Sequence, residues 1–275
     1  MKKFISLLTI ILVFNMSIAQ EPDYNKYSKL WKEVEQFEKD GLPKSALKVV
    51  EDIAKKAKND NNTPQIVKSL MYKSKFALSL EEDSQLNIVK DFKKEIALNE
   101  FPTKNILESV LANLYWQYFN QNRYKFYNRT NTEEKVDAED FRTWDLQTLF
   151  DEVHLHFQNS LQSGLLLQLQ PLSALDHILI TQKGSKLYRP TLYDFLNHNA
   201  LDFYKTNETS ITKPAYKFEI DNPEFLGDAN TFSKQKIESK DSTSLQLNAL
   251  KIYQDLIQFH LKDKDASALA DVNIE

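Results

Sequence analysis

The chain has 275 residues, 27% of them charged, with four glycines and no cysteine. That length allows one large domain or two smaller ones, scarce glycine disfavours turn-rich β architecture, and the lack of cysteine excludes disulfides, a thiol nucleophile and lipid attachment at a leader cysteine. A net charge of −4 and a pI near 5.8 have the wrong sign for a nucleic-acid footprint.

The first nineteen residues read as a secretory signal. Lys2 and Lys3 supply the positive region, Phe4 to Phe14 a short apolar run, and Ser17-Ile18-Ala19 the small residues before a cleavage point. Export to the periplasm or cell envelope, possible release from the cell, and a mature chain from Gln20 are the expectations. The apolar run is short of the roughly 20 residues of a membrane span, and no later stretch predicts one. Gln20 to Asn25 is expected to be a leader.

Tyr27, Leu30, Trp31, Val34 and Phe37 define an amphipathic helix. Gly41 fits its C-terminus and Pro43 the first turn of the next helix, which carries Ala46, Leu47, Val50, Ile53, Ala54 and Ala57. GLPKSALKVVEDIAKKA resembles the second helix of a tetratricopeptide repeat, with Ala46 at its small-residue position. A third helix follows Thr63-Pro64 and a fourth runs through Leu86, Val89, Phe92 and Ile96. No 34-residue register persists, so the expected fold is all-α: an irregular tetratricopeptide-like array of antiparallel helices.

The fifth helix, within Phe101–Thr130, organises the rest. Ile106, Leu107, Val110, Leu111, Leu114, Tyr115, Tyr118, Phe119 and Phe126 form its apolar stripe, with Trp116 and Tyr127 off it. A helix apolar on more than one face packs against several neighbours. Arg123, Lys125 and Arg129 interleave with Tyr124, Phe126 and Tyr127, which is the pattern of a base-stacking surface. The acidic balance argues against nucleic acid, and the expected role is architectural, with any binding surface elsewhere. Asn131 to Asp140 predicts a loop. Thr143 is the expected cap of a sixth helix through Leu146, Phe150, Val153 and Phe157, ending at Gly164. A short helical turn at 171–180 and a helix from Pro190-Thr191 to Phe203 follow.

Thr206 to Ser242 is polar and without helical period. An extended connector is expected, docking through Tyr216, Phe218, Ile220, Phe225 and Leu226, the first three alternating like a short strand. A final helix carries Leu245, Ala249, Leu250, Tyr253, Leu256 and Ile257, and Asp265 opens one more. The divisions are 1–19, 20–205, 206–242 and 243–275, and the last helix has the look of a chain that continues.

Catalytic patterns are missing. His154 and His156 point about 200° apart on a helix and do not share a metal as histidines four apart do. His177 and His198 read as surface groups. The carboxylates read as scattered over solvent faces. Glu108 and Asp145 are imaginable as acids among aromatics, with no second group beside them. No catalytic, cofactor-binding or metal-binding residue is assigned, and no enzyme is expected.

YSKLWKEVEQFEKDGLPKSALKVVEDIAKKAK, FPTKNILESVLANLYWQYFNQNRYKFYNRT, FRTWDLQTLFDEVHLHFQNSL and YRPTLYDFLNHNALDFYK together resemble the N-terminal helical region of large secreted bacterial proteins of the alpha-2-macroglobulin family. The resemblance runs through essentially the whole mature chain. It implies that macroglobulin β-sandwich domains follow. Some members trap proteases with a bait region and a Cys-x-Glu-Gln thioester, and this chain has no such cysteine. The implied partners are a protein or the following macroglobulin domains, with proteases engaged only through the full-length protein. The first alternative is a free-standing periplasmic tetratricopeptide-like adaptor, and behind it a helical hydrolase using carboxylates such as Glu108 or Asp145.

Overall fold

A computed structural model describes residues 24–80, 84–129, 135–208, 211 and 213–274. The signal at 1–19, leader residues 20–23, residues 81–83 and residues 130–134 lie outside them. The described residues form an all-helical fold: α1 Tyr24–Lys39, α2 Pro43–Asn59, α3 Thr63–Leu80, α4 Ser84–Leu98, α5 Thr103–Tyr127, α6 Leu146–Ser160, α7 Gly164–Leu169, α8 Ser185–Tyr188, α9 Leu192–Tyr204, α10 Ala229–Phe232, α11 Leu245–His260 and α12 Ser267–Ile274. Short 3-10 turns fall at Phe141–Thr143, Leu172–Leu175 and Pro223–Leu226. Helix α1 already includes Tyr24 and Asn25, which the sequence placed in the leader. No described helix is long and apolar enough to cross a membrane.

Two helix ends explain the first three helices. Gly41 (φ +67°) lets Leu42 N–H reach Phe37 O at 2.8 Å and Gly41 N–H reach Glu38 O at 3.1 Å, the paired bonds that close a helix on a left-handed residue. Asn61 (φ +49°) does the same for α2, with Asn62 N–H on Ala57 O and Asn61 N–H on Lys58 O. Asparagine tolerates this region because its short polar side chain bonds locally. A Cβ at Gly41 would meet nothing within 4 Å, so only backbone strain opposes substitution. Gly41→Ala is expected to cost about 1–2 kcal/mol in a denaturant titration; an unchanged midpoint would contradict the turn.

The core divides at α3. Tyr27, Trp31, Val34, Ala46, Val50, Ile53, Ala57, Ile66 and Phe76 form one cluster, to which the tetratricopeptide-like positions contribute. Val67 and Leu70, on the same helix, belong to the larger cluster that extends to Val272. Burying each large apolar side chain contributes roughly 1.5–3 kcal/mol.

Helix α5 is the shared strut, packing against α3, α4, α6 and α9. Leu107, Leu111, Ala112, Tyr115 and Phe119 are almost wholly buried. Trp116, placed off the stripe by periodicity, stacks on Phe119 (5.4 Å between centroids) and meets Phe150 and Phe203 edge-on. It bridges α5 to α6 and α9, so the buried arc is wider than one stripe. Helical geometry breaks at Asn122, whose side-chain amide donates to Tyr118 O. Asn105 Nδ2 donates to Ser160 O and Gln162 O, both at 2.9 Å, closing the end of α6 against the start of α5.

Four local expectations are corrected. Asp145, not Thr143, caps α6: its Oδ1 accepts from Thr148 N–H at 2.7 Å. Gly164 starts α7 rather than ending α6, because the left-handed turn falls at Ser163 (φ +62°). Residues 216–220 form no strand; Tyr216 and Ile220 point outward while Phe218 packs inward. The connector is not fully extended, since Asn222-Pro223 and Asp228 start a 3-10 turn and α10. It is pinned through buried Phe232 and Ile237, and Gln254 Nε2 donates to Phe232 O and Gln235 O, both at 2.8 Å.

Candidate functional site

Three polar constellations stand out, two sealed and one open. The first sits between α4, α5 and α6. Glu108 is 3% exposed, and its Oε2 meets His156 Nδ1 at 2.5 Å; Asn159 Nδ2 approaches Oε1 at 3.4 Å. The imidazole's Nε2 lies 3.6 Å from Glu152 Oε1. Glu152 accepts from Lys93 at 2.9 Å and Lys135 at 2.8 Å. Tyr115 stacks on the His156 ring at 5.8 Å, and Lys135 lies 4.1 Å from the centre of the Trp144 ring. Burial opposes charge on His156, but its bond to Glu108 and the nearby Glu152 carboxylate outweigh burial and raise its pKa above the ordinary value. Burial likewise opposes ionisation of Glu152, and the nearby His156 ring with the bonds from Lys135 and Lys93 overcome it, holding the carboxyl well below the usual range. Glu108 and Glu152 thus gather His156, Lys93 and Lys135 into one ionic knot.

The second joins the N-terminus of α9 to the C-terminus of α11. His260 Nε2 meets Asp194 Oδ1 at 2.6 Å and His260 Nδ1 meets Asp263 Oδ2 at 2.7 Å. Asp194 Oδ2 accepts from Thr191 N–H and Thr191 Oγ1, while Thr191 Oγ1 accepts from Asp194 N–H. That is a reciprocal capping box, with aspartate in the position usually held by glutamate. A carboxylate at a helix start and an imidazolium at a helix end each match the local dipole. Desolvation opposes the charge on His260, and the two carboxylates prevail and raise its pKa.

These knots correct the reading of scattered solvent-facing carboxylates. Glu108, Asp145, Glu152 and Asp194 are all buried, and Glu108 does have a second titratable group beside it. His198 is buried at 3% exposure instead of lying on the surface, whereas His177 is exposed. Partners 48 and 66 residues away leave no sequence signal; the Thr191–Asp194 spacing is the one cue that was readable. Among the described residues no group of three or more His, Asp and Glu side chains is arranged to hold a metal ion.

The third constellation is open to solvent. A cavity of about 430 Å³ lies between the first half of α6, the end of α9, connector residues 205–208, 211 and 213–220 and the first half of α11. Gln147, Phe150, Asp151 and His154 project into it from α6, at spacings that share one helical face. Leu245, Ala249, Leu250 and Tyr253 face them from α11. Tyr204 accepts from Gln158 Nε2 at 3.0 Å and bonds His154 Nδ1 at 2.9 Å. Burial lowers the pKa of His154 and keeps the ring neutral near pH 7. Burial also raises Asp151, against a stabilising bond from Gln147 Nε2 at 2.9 Å. His154 and His156 thus serve opposite sides of α6, one in the cavity and one in the ionic knot.

Of the interleaved basic and aromatic residues at the end of α5 only Phe126 is buried, while Tyr124 and Tyr127 stay exposed and local contacts engage several of the rest. Phe126 is buried beneath Arg129 (4.8 Å), Tyr127 donates to Glu208 at 2.9 Å, and Arg123 bonds Asn120. No family model, curated protein or solved structure matches this chain.

Proposed function

We propose that this chain is a helical partner-binding or anchoring module, the N-terminal part of an envelope protein of the alpha-2-macroglobulin type, and not itself an enzyme. The observation that carries the binding role is the contrast between its polar groups. The strongest charged clusters are built on buried groups that pair with one another, while the groove between α6 and α11 keeps side chains of mixed chemistry at a solvent-open, apolar-floored surface. Such concave sites with few convergent polar groups are where ligands and partner segments bind. The family assignment rests on the quoted sequence segments, and export on the leader pattern. Protease inhibition belongs, in this reading, to the whole protein and not to this module.

A second reading, a free-standing tetratricopeptide-like adaptor, is favoured by the α1–α2 hairpin with Ala46, Val50 and Ile53 fully buried at its interface. Genomic sequence beyond the codon for Glu275 separates the two. The macroglobulin reading expects an open frame encoding repeated β-sandwich domains; a stop codon with no such frame overturns it and leaves the adaptor.

A further inference from the structure

We propose that α7 and the excursion that follows it form a surface that docks on an anionic lipid bilayer, with Leu165, Leu169 and Ile180 entering the headgroup region and Lys183 meeting the lipid charge. None of these residues lines the groove, so the inference goes beyond the binding role above and shares with it only the expected export. It begins with α7. Leu165, Leu166 and Leu169 fall within about 100° of one another around a helix, and Leu165 and Leu169 are 78% and 79% exposed. Of the leucines on α7 only Leu167 is buried. The helix therefore turns its apolar side outward, the reverse of an ordinary surface helix. The excursion is tied to the end of that helix. Leu172 N–H donates to Pro190 O and Leu192 N–H donates to Gln170 O, so residues 173–189 leave and return beside the C-terminus of α7. Ile180 on it is fully exposed, and Leu187 and Tyr188 are exposed as well. Six of the nineteen exposed large apolar side chains among the described residues thus fall within residues 164–190. Single exposed apolar residues need no explanation, whereas a concentration of them marks an interaction surface.

Charge and composition name the occupant. The whole chain is acidic, at −4, yet residues 164–190 carry Lys183, Lys186 and Arg189 against one carboxylate, Asp176. Lys186 pairs with Asp176, and Arg189 approaches Asp271 of α12 at 3.4 Å. Both pairs are partly exposed and worth little in water, so an anionic surface can take the place of the carboxylates. With Asp271 counted, the cations still outnumber the carboxylates. Lys183 is exposed and makes no ion pair among the described residues. Protein interfaces are enriched in aromatic residues, Met and Arg and depleted in Lys, and leucine is under-represented among the residues that carry their binding energy. Here the exposed set is four leucines, one isoleucine and one tyrosine. Aliphatic side chains accompanied by lysine, arginine and tyrosine are the composition of an element that lies in the lipid interface. No described helix is long and apolar enough to cross a membrane, so the contact made by this surface is peripheral.

The test is co-sedimentation of the chain from Gln20, which contains every described residue without the apolar leader, with vesicles of phosphatidylcholine alone or mixed in equal parts with phosphatidylglycerol. Binding to the mixed vesicles is expected at least about tenfold tighter than to phosphatidylcholine alone, since each lysine or arginine near an anionic surface contributes about fivefold. Added salt should weaken it. Leu165→Ser combined with Leu169→Ser should weaken binding at least about tenfold, and Lys183→Glu alone about tenfold or more. Both variants should melt within a degree or two of the parent, because the replaced side chains are exposed; should the leucine variant fail to fold, Lys183→Glu carries the test. The chain has no cysteine, so a polarity-sensitive dye on Leu169→Cys or Ile180→Cys reports each position alone. Both are expected to shift to the blue with mixed vesicles, and Lys48→Cys on α2 is not. No binding to the mixed vesicles, equal binding to both kinds, unchanged binding by a folded leucine or Lys183 variant, or no blue shift at 169 and 180 overturns the proposal. So does a stable dimer that the leucine changes dissociate, since a second copy then covers the surface. None of these results bears on the groove or on the genomic reading frame, so the reading above stands or falls separately.

Discussion

Asp194→Ala is expected to lower the unfolding free energy by about 3–5 kcal/mol, the cost of breaking a buried ion pair from one side. Asp194 is fully buried and makes every polar contact that its site offers: Thr191 N–H, Thr191 Oγ1 and His260 Nε2. Removing it uncaps α9 and leaves the His260 imidazole facing a void between two helices. A single domain has only about 5–15 kcal/mol in total, so the denaturation midpoint should move by a large fraction of its value. Asp194→Asn keeps the volume and an acceptor and should recover part of the loss. A midpoint shift equivalent to less than about 1 kcal/mol for Asp194→Ala would show that the α9–α11 junction is held by apolar packing alone.

His156→Gln is expected to cost about 3–5 kcal/mol near pH 5 and clearly less at pH 9. The sign follows from linkage. His156 has its folded pKa raised above the ordinary 6.5. Its contribution is fully present below pH 6.5 and is lost as pH rises through the higher folded value. Glu152 is lowered from 4.5, so its contribution is present above pH 4.5 and fades as pH falls through the lower folded value. His260, raised in the same sense as His156, keeps an alkaline limb in the variant, while His154, lowered by burial, acts in the opposite sense. Comparing parent and variant at each pH cancels those shared terms. A difference that stays constant from pH 5 to 9 would mean that His156 is neutral in its pocket.

The helices were legible because their signals are local. Apolar residues at three- and four-residue spacing marked α1, α2, α5, α6 and α11, and Gly41 with Pro43 marked a turn that the backbone uses. What escaped has a common cause. Glu108 and His156, or Asp194 and His260, are brought together by α5 crossing α6 and α9 crossing α11, and neither crossing is written in a run of residues. The groove depends on the connector folding back so that Phe218 and Ile211 pack on the core, a tertiary event. Trp116 lies off the main stripe as read, and its contacts with Phe150 and Phe203 belong to the second apolar face that the sequence implied. Asn61, Asp145 and Asp228 were readable in principle as a left-handed helix end and two caps.

Function follows from how the polar groups are distributed. Two ionic knots lock α4, α5 and α6 together and α9 to α11, and both are closed. The groove has a polar face on α6, an apolar floor and a lysine-bearing rim. A photo-crosslinking amino acid placed singly in the full-length protein in its native host tests whether partners enter there. Lys213 and Gln246 are exposed residues of the groove, while Lys48 on α2 and Lys104 on α5 are exposed and away from it. The same light-dependent adduct from positions 213 and 246, absent from 48 and 104, is the expected result. Adducts only from 48 or 104, or none from the groove, would contradict a binding role for this surface.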